Sequence, residues 1–237
     1  MLFNNPFKPE RIDGLLDELW LTNSSKILDV GCGEGELILR LLQRFNCFAV
    51  GVDVDETAVK IAQQKVAKYA QKATFHTKSF AEVTFPNNHF DASFSLGATH
   101  AFGEVGEALD NALASLKVIT KPSGLIIIGD GYWRKEPDPA YLQMTGIDKK
   151  ELRAHHENIA AGEKIGLECI YAITASHEEW DHFEGAFWMA AERERLQQPE
   201  DPQIAEKVNR RRKWKNAYWQ WGQNTMGFGL YVFLVAN

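Results

Sequence analysis

A glycine-rich turn between an apolar stretch and an amphipathic helix constrains this chain more than any other feature. The apolar stretch 27–30 contains one acid, Asp29, and glycines follow at positions 31, 33 and 35. Glycine lets a chain turn sharply and lets a ligand approach bare backbone, while the start of a helix offers free N–H groups and a positive dipole end. The stretch therefore predicts a strand, a ligand-binding turn and a helix. The apolar residues after the turn recur at helical spacing: Leu37, Ile38, Leu41, Leu42 and Phe45.

Strand and helix patterns alternate along most of the chain, which predicts a parallel sheet with helices on both faces. Helical spacing is found before the first strand, ending near residue 22, and again at about 104–119 and 148–162. Asp55 is placed to cap the helix after the second strand. The predicted strands are 26–30, 48–54, 73–77, 90–96, 125–129, 167–175 and 227–235.

A region of about fifty residues before the last strand differs in composition, because it holds five of the seven tryptophans. Two prolines, Pro199 and Pro202, divide it into two helices. We interpret residues 1–237 as a single domain, with 177–225 as a helical lid or insertion within it. The length suits one large α/β domain.

Charge and cysteine content exclude several classes of protein. The net charge of −6 argues against a nucleic-acid partner. The cysteines at 32, 47 and 169 are scattered, and the histidines at 155, 156, 177 and 182 fit no metal pattern, so no metal is predicted. The start of the sequence lacks the pattern of a signal peptide, and no apolar run is long enough to span a bilayer. The expectation is a cytoplasmic protein without a membrane partner.

The spacing of the glycines distinguishes two kinds of nucleotide site. A dinucleotide-binding fold uses G-x-G-x-x-G, whereas here Gly31, Gly33 and Gly35 alternate with single residues. A second acid, Asp53, ends the next strand, placed to accept hydrogen bonds from ribose hydroxyls. With Asp29 two residues before the first glycine, this pattern resembles the class I S-adenosylmethionine-dependent methyltransferases. The resemblance covers residues 25–130, and the strands at 167–175 and 228–235 are compatible with it.

The resemblance implies a Rossmann-like α/β fold with a seven-stranded, mostly parallel sheet, in which the last strand lies antiparallel beside the fifth. It implies S-adenosyl-L-methionine as cofactor, with Asp53 on the ribose and Val54 beside the adenine. Family members often place an acid near the adenine amino group after the third strand, where this chain has Lys78-Ser79-Phe80, so a hydroxyl or backbone group would replace it. The remaining predicted cofactor contacts lie on the turn and at two strand ends: Asp29, Gly31, Cys32, Gly33, Gly35, Ser79, Phe80, Leu96 and Gly97.

The methyl acceptor is expected beyond the ends of the fourth and fifth strands, next to the methyl sulfonium. His100 is a candidate base or orienting group, or else a histidine that caps a turn or lies in the core. Asp130 is a candidate acceptor of a substrate amine. Tyr132 is a second catalytic candidate and Trp133 a wall of the site, although both also fit ordinary packing at a strand end.

The tryptophan-rich region offers a binding role and a packing role for the same residues. Trp180, Trp214 and Tyr218 are predicted to bind the substrate in an aromatic pocket, but their helical spacing equally fits a helical core. The basic run 210–215 fits either a solvated helix face or a site that binds a carboxylate or phosphate of the acceptor.

Three functions remain open from the sequence. The first is methyl transfer to a small molecule, mainly by proximity and alignment. The second is methylation of a protein or RNA docked on the helical insertion, and the third is a non-catalytic module that binds S-adenosylmethionine. The sequence does not define the acceptor or the oligomeric state.

Overall fold

A seven-stranded sheet forms the middle layer of the protein in a computed structural model that describes residues 2–236. The sheet order is β3-β2-β1-β4-β5-β7-β6. β7 runs antiparallel to β5 and β6, and the other neighbouring pairs are parallel, which confirms the predicted topology. The strands are β1 (Lys26–Val30), β2 (Phe48–Asp53), β3 (Ala73–Thr77), β4 (Phe90–Leu96), β5 (Thr120–Trp133), β6 (Leu167–Thr174) and β7 (Met226–Val235).

Helices cover both faces of the sheet. Side chains of α1, of α2 and of the start of α7 pack on one face, and those of α4 and α6 pack on the other. A π-helical turn, Tyr218–Gly222, joins α8 to α9. The helices are α1 (Pro9–Asp17), α2 (Glu36–Phe45), α3 (Glu56–Lys65), α4 (Ala108–Ile119), α5 (Pro139–Thr145), α6 (His155–Lys164), α7 (His177–Gln197), α8 (Pro202–Ala217) and α9 (Gln223–Thr225).

Alternation along β5 decides which of its side chains face which layer. Leu125 and Ile127 belong to the core shared with α1 and α2, whereas Ile126 and Ile128 belong to the core shared with α4 and α6. Successive strand residues point to opposite faces, so the residues that continue this pattern beyond Ile128 face α4 and α6 as well.

Three predicted helices are shorter in the structure than the apolar spacing indicated. α1 ends at Asp17, and α4 begins at Ala108, which leaves Val105 exposed. The stretch predicted as helical from residue 148 begins with a 3₁₀ turn, because Asp148 accepts a hydrogen bond from the Lys150 N–H and the chain then becomes extended at Leu152. α6 starts only at His155.

α7 and α8 form an antiparallel pair, which we call the α7–α8 hairpin (residues 177–217). In the sequence the hairpin follows β6 and precedes β7. Ser176 caps α7 by accepting from the Glu179 N–H, and Asp201 caps α8 by accepting from the Gln203 N–H. The buried Glu179 carboxylate ties this hairpin to the start of the chain, since it pairs with Arg11 at 2.6 Å and accepts from the Lys8 N–H at 2.9 Å. Within residues 2–236, no helix is long and apolar enough to cross a membrane.

Candidate functional site

Two adjoining cavities form one cleft at the carboxyl ends of β1, β2 and β4. The larger has a volume of about 460 Å³ and reaches from Asp53 to His100. The smaller has a volume of about 230 Å³ and lies over Asp29 and the start of α2. Four residues line both cavities and so mark where they meet: Asn4, Gly31, Gly33 and Leu96.

The three glycines of the turn share a backbone conformation but differ in what a side chain would meet. All have positive φ. A Cβ on Gly31 would lie 2.2 Å from the Ala98 Cβ, and one on Gly35 would lie 2.8 Å from the Ala62 Cβ. A Cβ on Gly33 would meet nothing within 4 Å, because Gly33 faces the open cleft. Gly33 is thus the member of the trio at which bare backbone leaves room for a ligand.

Gly35 was predicted to contact the cofactor, and the structure places it elsewhere. It is buried, lines neither cavity, and donates its N–H to the Cys32 carbonyl at 2.9 Å. Its missing side chain lets α2 pack against α3. That role explains the glycine without a ligand.

Backbone N–H groups without an acceptor surround the smaller cavity. The N–H groups of Glu34, Glu36 and Leu37 have no acceptor among residues 2–236, as expected where a helix begins. All three residues line this cavity. They provide donors and a positive dipole end for an electron-rich ligand group.

Asp53 connects the glycine turn to the turn between β2 and α3. Its Oδ2 accepts from the Gly33 N–H at 2.8 Å, and its Oδ1 accepts from the Asp55 N–H at 2.9 Å. Each carboxylate oxygen retains a lone-pair site, so the group can also accept hydrogen bonds from ligand hydroxyls in the larger cavity. Asp55 caps α3 as predicted, accepting from the Thr57 and Ala58 N–H groups.

Asp29 is a buried carboxyl group that borders the smaller cavity. It is 3% exposed and accepts no hydrogen bond within the part of the chain that the structure describes. Burial, together with the nearby charge of Asp53, raises the pKa of Asp29 to about 7. A carboxyl group in this position gains most from a positively charged ligand group, which would favour its ionised form.

Cys32 also borders the smaller cavity, and its thiol points into the core. A Cβ on Gly51 would lie 2.8 Å from the Cys32 Sγ, so the sulfur packs against β2. Burial raises the pKa of the Cys32 thiol well above its usual range. The thiol is therefore neutral and inert, and any contact of Cys32 with a ligand involves its backbone.

The far end of the larger cavity presents apolar surface and backbone. Val54 is 72% exposed there, opposite a segment that carries Ser79 and Phe80. The Ser79 N–H donates a hydrogen bond to the Glu82 carboxylate at 3.0 Å. The Phe80 ring packs against the Phe102 ring at a centroid distance of 4.6 Å. Val54, Ser79 and Phe80 thus lie together on the lining of one cavity.

Of the predicted acceptor-side residues, His100 alone lines this cleft. It is exposed, on a 3₁₀ turn (Thr99–Phe102) after β4, next to Ala98 and Ala101 in the larger cavity. Leu96 and Gly97, at the end of β4, line the same cavity.

Asp130 was predicted to face the same cleft, and the structure contradicts this. It continues the Ile126–Ile128 alternation toward α4 and α6, and lies in a separate cavity of about 30 Å³. Its Oδ1 accepts from the Thr99 hydroxyl at 3.1 Å and from the Gly131 N–H at 2.9 Å. Burial raises the pKa of Asp130 to about 6.

Tyr132 and Trp133 are likewise packing residues. Tyr132 is buried against the backbone of Gly227 on β7, and its ring lies 5.1 Å from that of His155 on α6. Trp133 is buried against Tyr141 and donates its indole N–H to the Lys149 carbonyl at 2.9 Å. Neither residue lines the cleft.

The aromatic residues predicted to bind substrate, on α7, α8 and the π-helical turn, line neither cavity of the cleft. Trp180 is part of the core between the sheet and α1. The Trp214 indole donates to Glu184 at 2.9 Å, and the Tyr218 hydroxyl donates to Asp181 at 2.7 Å. The helical spacing of these residues therefore reflects packing rather than a substrate pocket.

The sequence did not predict that the start of the chain lines the cleft. Residues 2–5 line the smaller cavity, and the Asn5 Oδ1 accepts from the Phe7 N–H at 3.1 Å. Phe7 is 3% exposed, with its ring edge against Phe228 of β7. We call residues 2–7 the strap. The spacing of Phe3 and Phe7 was the one signal that this proline- and asparagine-containing stretch packs against something.

The sheet order, the antiparallel β7 and the glycine turn with its two acids are those of the class I S-adenosylmethionine-dependent methyltransferase fold. Residues 27–124 match a family model described as a methyltransferase domain. Residues 27–124 therefore contain a methyltransferase domain, and S-adenosylmethionine is the cofactor that this match and the glycine turn indicate.

Relatives extend the similarity over almost the whole chain. The protein YjhP of Escherichia coli (strain K12) is 24% identical over 98% of this chain and 93% of its own length. Its X-ray structure has a TM-score of 0.86, with 99% of this chain and 95% of that chain covered. A SAM-dependent methyltransferase from Geobacter sulfurreducens, in complex with S-adenosyl-L-homocysteine, has the same fold, with 22% identity, a TM-score of 0.83, and 98% and 92% coverage.

A third relative matches only in part. The 27-O-demethylrifamycin SV methyltransferase of Amycolatopsis mediterranei is 25% identical over 60% of this chain, and the match spans 50% of that protein.

Proposed function

We propose that this enzyme transfers the methyl group of S-adenosylmethionine to a small-molecule acceptor, mainly by holding donor and acceptor in line. The observation that carries the proposal is one continuous cleft, from Asp53 past the glycine turn to His100, covered at one end by the strap. A covered cleft of this size suits an acceptor that fits inside the protein. The name of the rifamycin methyltransferase, which describes a small-molecule substrate, supports this class of acceptor.

The residues present fit the cofactor in three respects. Gly33 leaves open space where bare backbone is needed, and Asp53 has acceptor capacity left for two ribose hydroxyls. Asp29, a buried carboxyl group without a hydrogen-bond donor in residues 2–236, suits the ammonium end of the methionine moiety. Val54, Ser79 and Phe80 then lie where the adenine ring would pack. The cofactor supplies an activated methyl sulfonium when it is bound.

The acceptor enters beside Leu96 and Gly97 in this proposal. Gly97 has a φ of +82°, and its N–H donates to the Gly129 carbonyl, so the backbone there is fixed and carries no side chain to fill the cleft. His100 is the titratable side chain that borders this end of the larger cavity. We assign it the role of orienting the acceptor or removing its proton. Alignment of donor and acceptor supplies most of the rate enhancement.

The test is a two-stage measurement on the full chain. Calorimetry measures the affinity for S-adenosylmethionine, and a panel of small alcohols, phenols, amines and carboxylates is then assayed for transfer of a radiolabelled methyl group. We expect binding, and transfer to at least one panel member that decreases in His100→Gln without loss of cofactor affinity. Cofactor binding with transfer only to protein or RNA substrates would refute the proposed acceptor class.

A further inference from the structure

A further cavity, separate from the cleft, lies on the α7–α8 hairpin. It has a volume of about 560 Å³ and shares no lining residue with the two cavities of the cleft. We call it the hairpin groove. Its floor and walls include Trp188, Met189, Leu196 and Val208.

The apolar surface of the hairpin groove is unusually exposed. Met189 is 68% exposed and Leu196 is 71% exposed, although both lie on a helix that otherwise packs against α8. Exposed apolar side chains that cluster beside a concave surface are typical of binding sites. The apolar lining therefore predicts a ligand with hydrocarbon surface.

Gly185 opens one end of the hairpin groove. It lies inside α7, where glycine costs about 1 kcal/mol relative to alanine. A Cβ at this position would meet nothing within 4 Å, so no packing against another helix accounts for the glycine. The missing side chain instead adds free space to the groove.

The rim of the hairpin groove is cationic in an otherwise acidic protein. Four cations and one carboxylate line it, against a net charge of −6 for the chain. The carboxylate, Glu192, is already paired with Arg195 and Arg212. Arg193 and Lys215 have no ion-pair partner within residues 2–236, and Arg211 stacks on Phe187. The unpaired cations complement an anionic headgroup.

The shape of the groove selects a hydrocarbon chain rather than a peptide. From Gly185 to Leu196 it follows α7 for about 16 Å. Both helices satisfy their own backbone groups, so an extended peptide laid between them would leave its N–H and C=O groups unpaired. A docked helix of this length would have only about three turns, which is marginal for an isolated helix. An alkyl chain has no polar groups to satisfy.

We propose that the hairpin groove binds a single-chain anionic amphiphile, with its alkyl chain on Trp188, Met189 and Leu196 and its headgroup beside Arg193 and Lys215. The proposal does not depend on the acceptor of the methyl group. It gives a function to part of the basic run 210–215, which the cofactor cleft does not use.

The experiment is a calorimetric titration of the full chain with dodecanoate, below the concentration at which it forms micelles. Dodecyl maltoside, with the same alkyl chain and no charge, is the matched ligand. We expect saturable binding of dodecanoate that is about tenfold tighter than that of the maltoside, as two charge-assisted contacts would give.

Two pairs of variants locate the site. Gly185→Leu fills the groove and should weaken dodecanoate binding by about tenfold or more. Gly14→Leu, at an equally open glycine of α1, is its control and should leave binding unchanged. Arg193→Gln with Lys215→Gln should remove the preference for dodecanoate over the maltoside. Lys213→Gln, an exposed cation outside the groove, should not.

Cofactor affinity, measured in each variant, reports whether the fold is intact. The proposal is overturned if dodecanoate binds no tighter than the maltoside, or if Gly14→Leu weakens binding as much as Gly185→Leu does. Association with anionic phospholipid vesicles but not with monomeric dodecanoate would replace the proposed occupant by a membrane surface.

Discussion

The Asp53 carboxylate accepts a hydrogen bond from the Gly33 N–H at 2.8 Å, which joins the end of β2 to the middle of the glycine turn. Its second oxygen accepts from the Asp55 N–H at 2.9 Å, at the start of the turn into α3. One side chain therefore holds two ligand-facing turns in a fixed relation. Ordering these turns in the free protein lowers the cost of ordering them when a ligand binds.

Replacing Asp53 with alanine should weaken the binding of S-adenosylmethionine by about 100-fold, which corresponds to about 2.7 kcal/mol. The change removes the proposed ribose contacts and leaves the Gly33 and Asp55 N–H groups without their acceptor. Calorimetry measures the effect. Asp55→Ala is the control, since it removes the cap of α3 and costs about 1 kcal/mol of stability without touching the cleft. Equal affinities of Asp53→Ala and the wild type would contradict the proposed ribose site.

Alanine at Gly33 and at Gly35 should separate binding from stability. Gly33→Ala places a methyl group in the cleft and costs about 1 kcal/mol of backbone strain, so cofactor affinity should fall more than stability does. Gly35→Ala forces a Cβ to 2.8 Å from that of Ala62. It should cost about 2 to 4 kcal/mol in the free energy of unfolding. Urea denaturation and calorimetry on both variants test this, and the reverse order of effects would show that Gly35 faces the ligand.

The buried Asp29 should make the protein less stable as the pH rises toward neutrality. Its pKa is about 7 in the folded protein, against 3.8 for the free side chain. Between these values the folded protein holds a proton that the unfolded chain has released, so the free energy of unfolding falls with increasing pH, by up to about 4 kcal/mol. Above pH 7 the contribution no longer changes.

Asp29→Asn removes this pH dependence, so comparing its stability with that of the wild type tests the prediction. Relative to the wild type, the variant should gain stability from about pH 4 to about pH 7 in urea denaturation series, and it should bind S-adenosylmethionine more weakly at neutral pH. Asp130, whose raised pKa acts in the same direction, is present in both proteins and cancels in the difference. A constant difference across the range would contradict the assignment.

The strap should control how fast the cofactor leaves. Phe7 anchors it against Phe228, with ring centroids 6.0 Å apart. Phe7→Leu keeps an apolar side chain and costs about 1 to 2 kcal/mol, so the strap should open more often and dissociation of S-adenosylmethionine should accelerate by about tenfold. Stopped-flow displacement measures this rate. Phe48→Leu, at a phenylalanine that is 45% exposed and remote from the cleft, should leave it unchanged.

The glycine turn and its acids were predictable because their signals are local. Asp29, Gly33 and Asp53 lie within strand ends and turns that periodicity alone locates, and all three line the cleft. The separate roles of Gly33 and Gly35 were not predictable. They depend on where Ala62 of α3 packs, which only the tertiary structure defines.

The acceptor side was predicted less well, for a physical reason that is visible in β5. Its residues 125–128 are all apolar, so the sequence gives no polar alternation to show which side chains face which layer. Asp130 and Tyr132 were therefore assigned to the cleft although they face α4 and α6. The strap was missed because Phe7 is buried by Phe228, a partner more than two hundred residues away in the sequence.

The position of β7 between β5 and β6 sets the order in which the enzyme can mature. During synthesis, β1 to β4 and the glycine turn emerge early, whereas β5 and β6 keep open edges until β7 has been made and inserted. Because Phe228 of β7 also contacts Phe7, the strap gains this anchor only at that step, in addition to Phe3, whose ring lies against Arg40 of α2. A chain in which β1 to β4 have folded can therefore form the glycine turn before the strap has all its contacts, and the insertion of β7 completes both the sheet and the cover of the cleft.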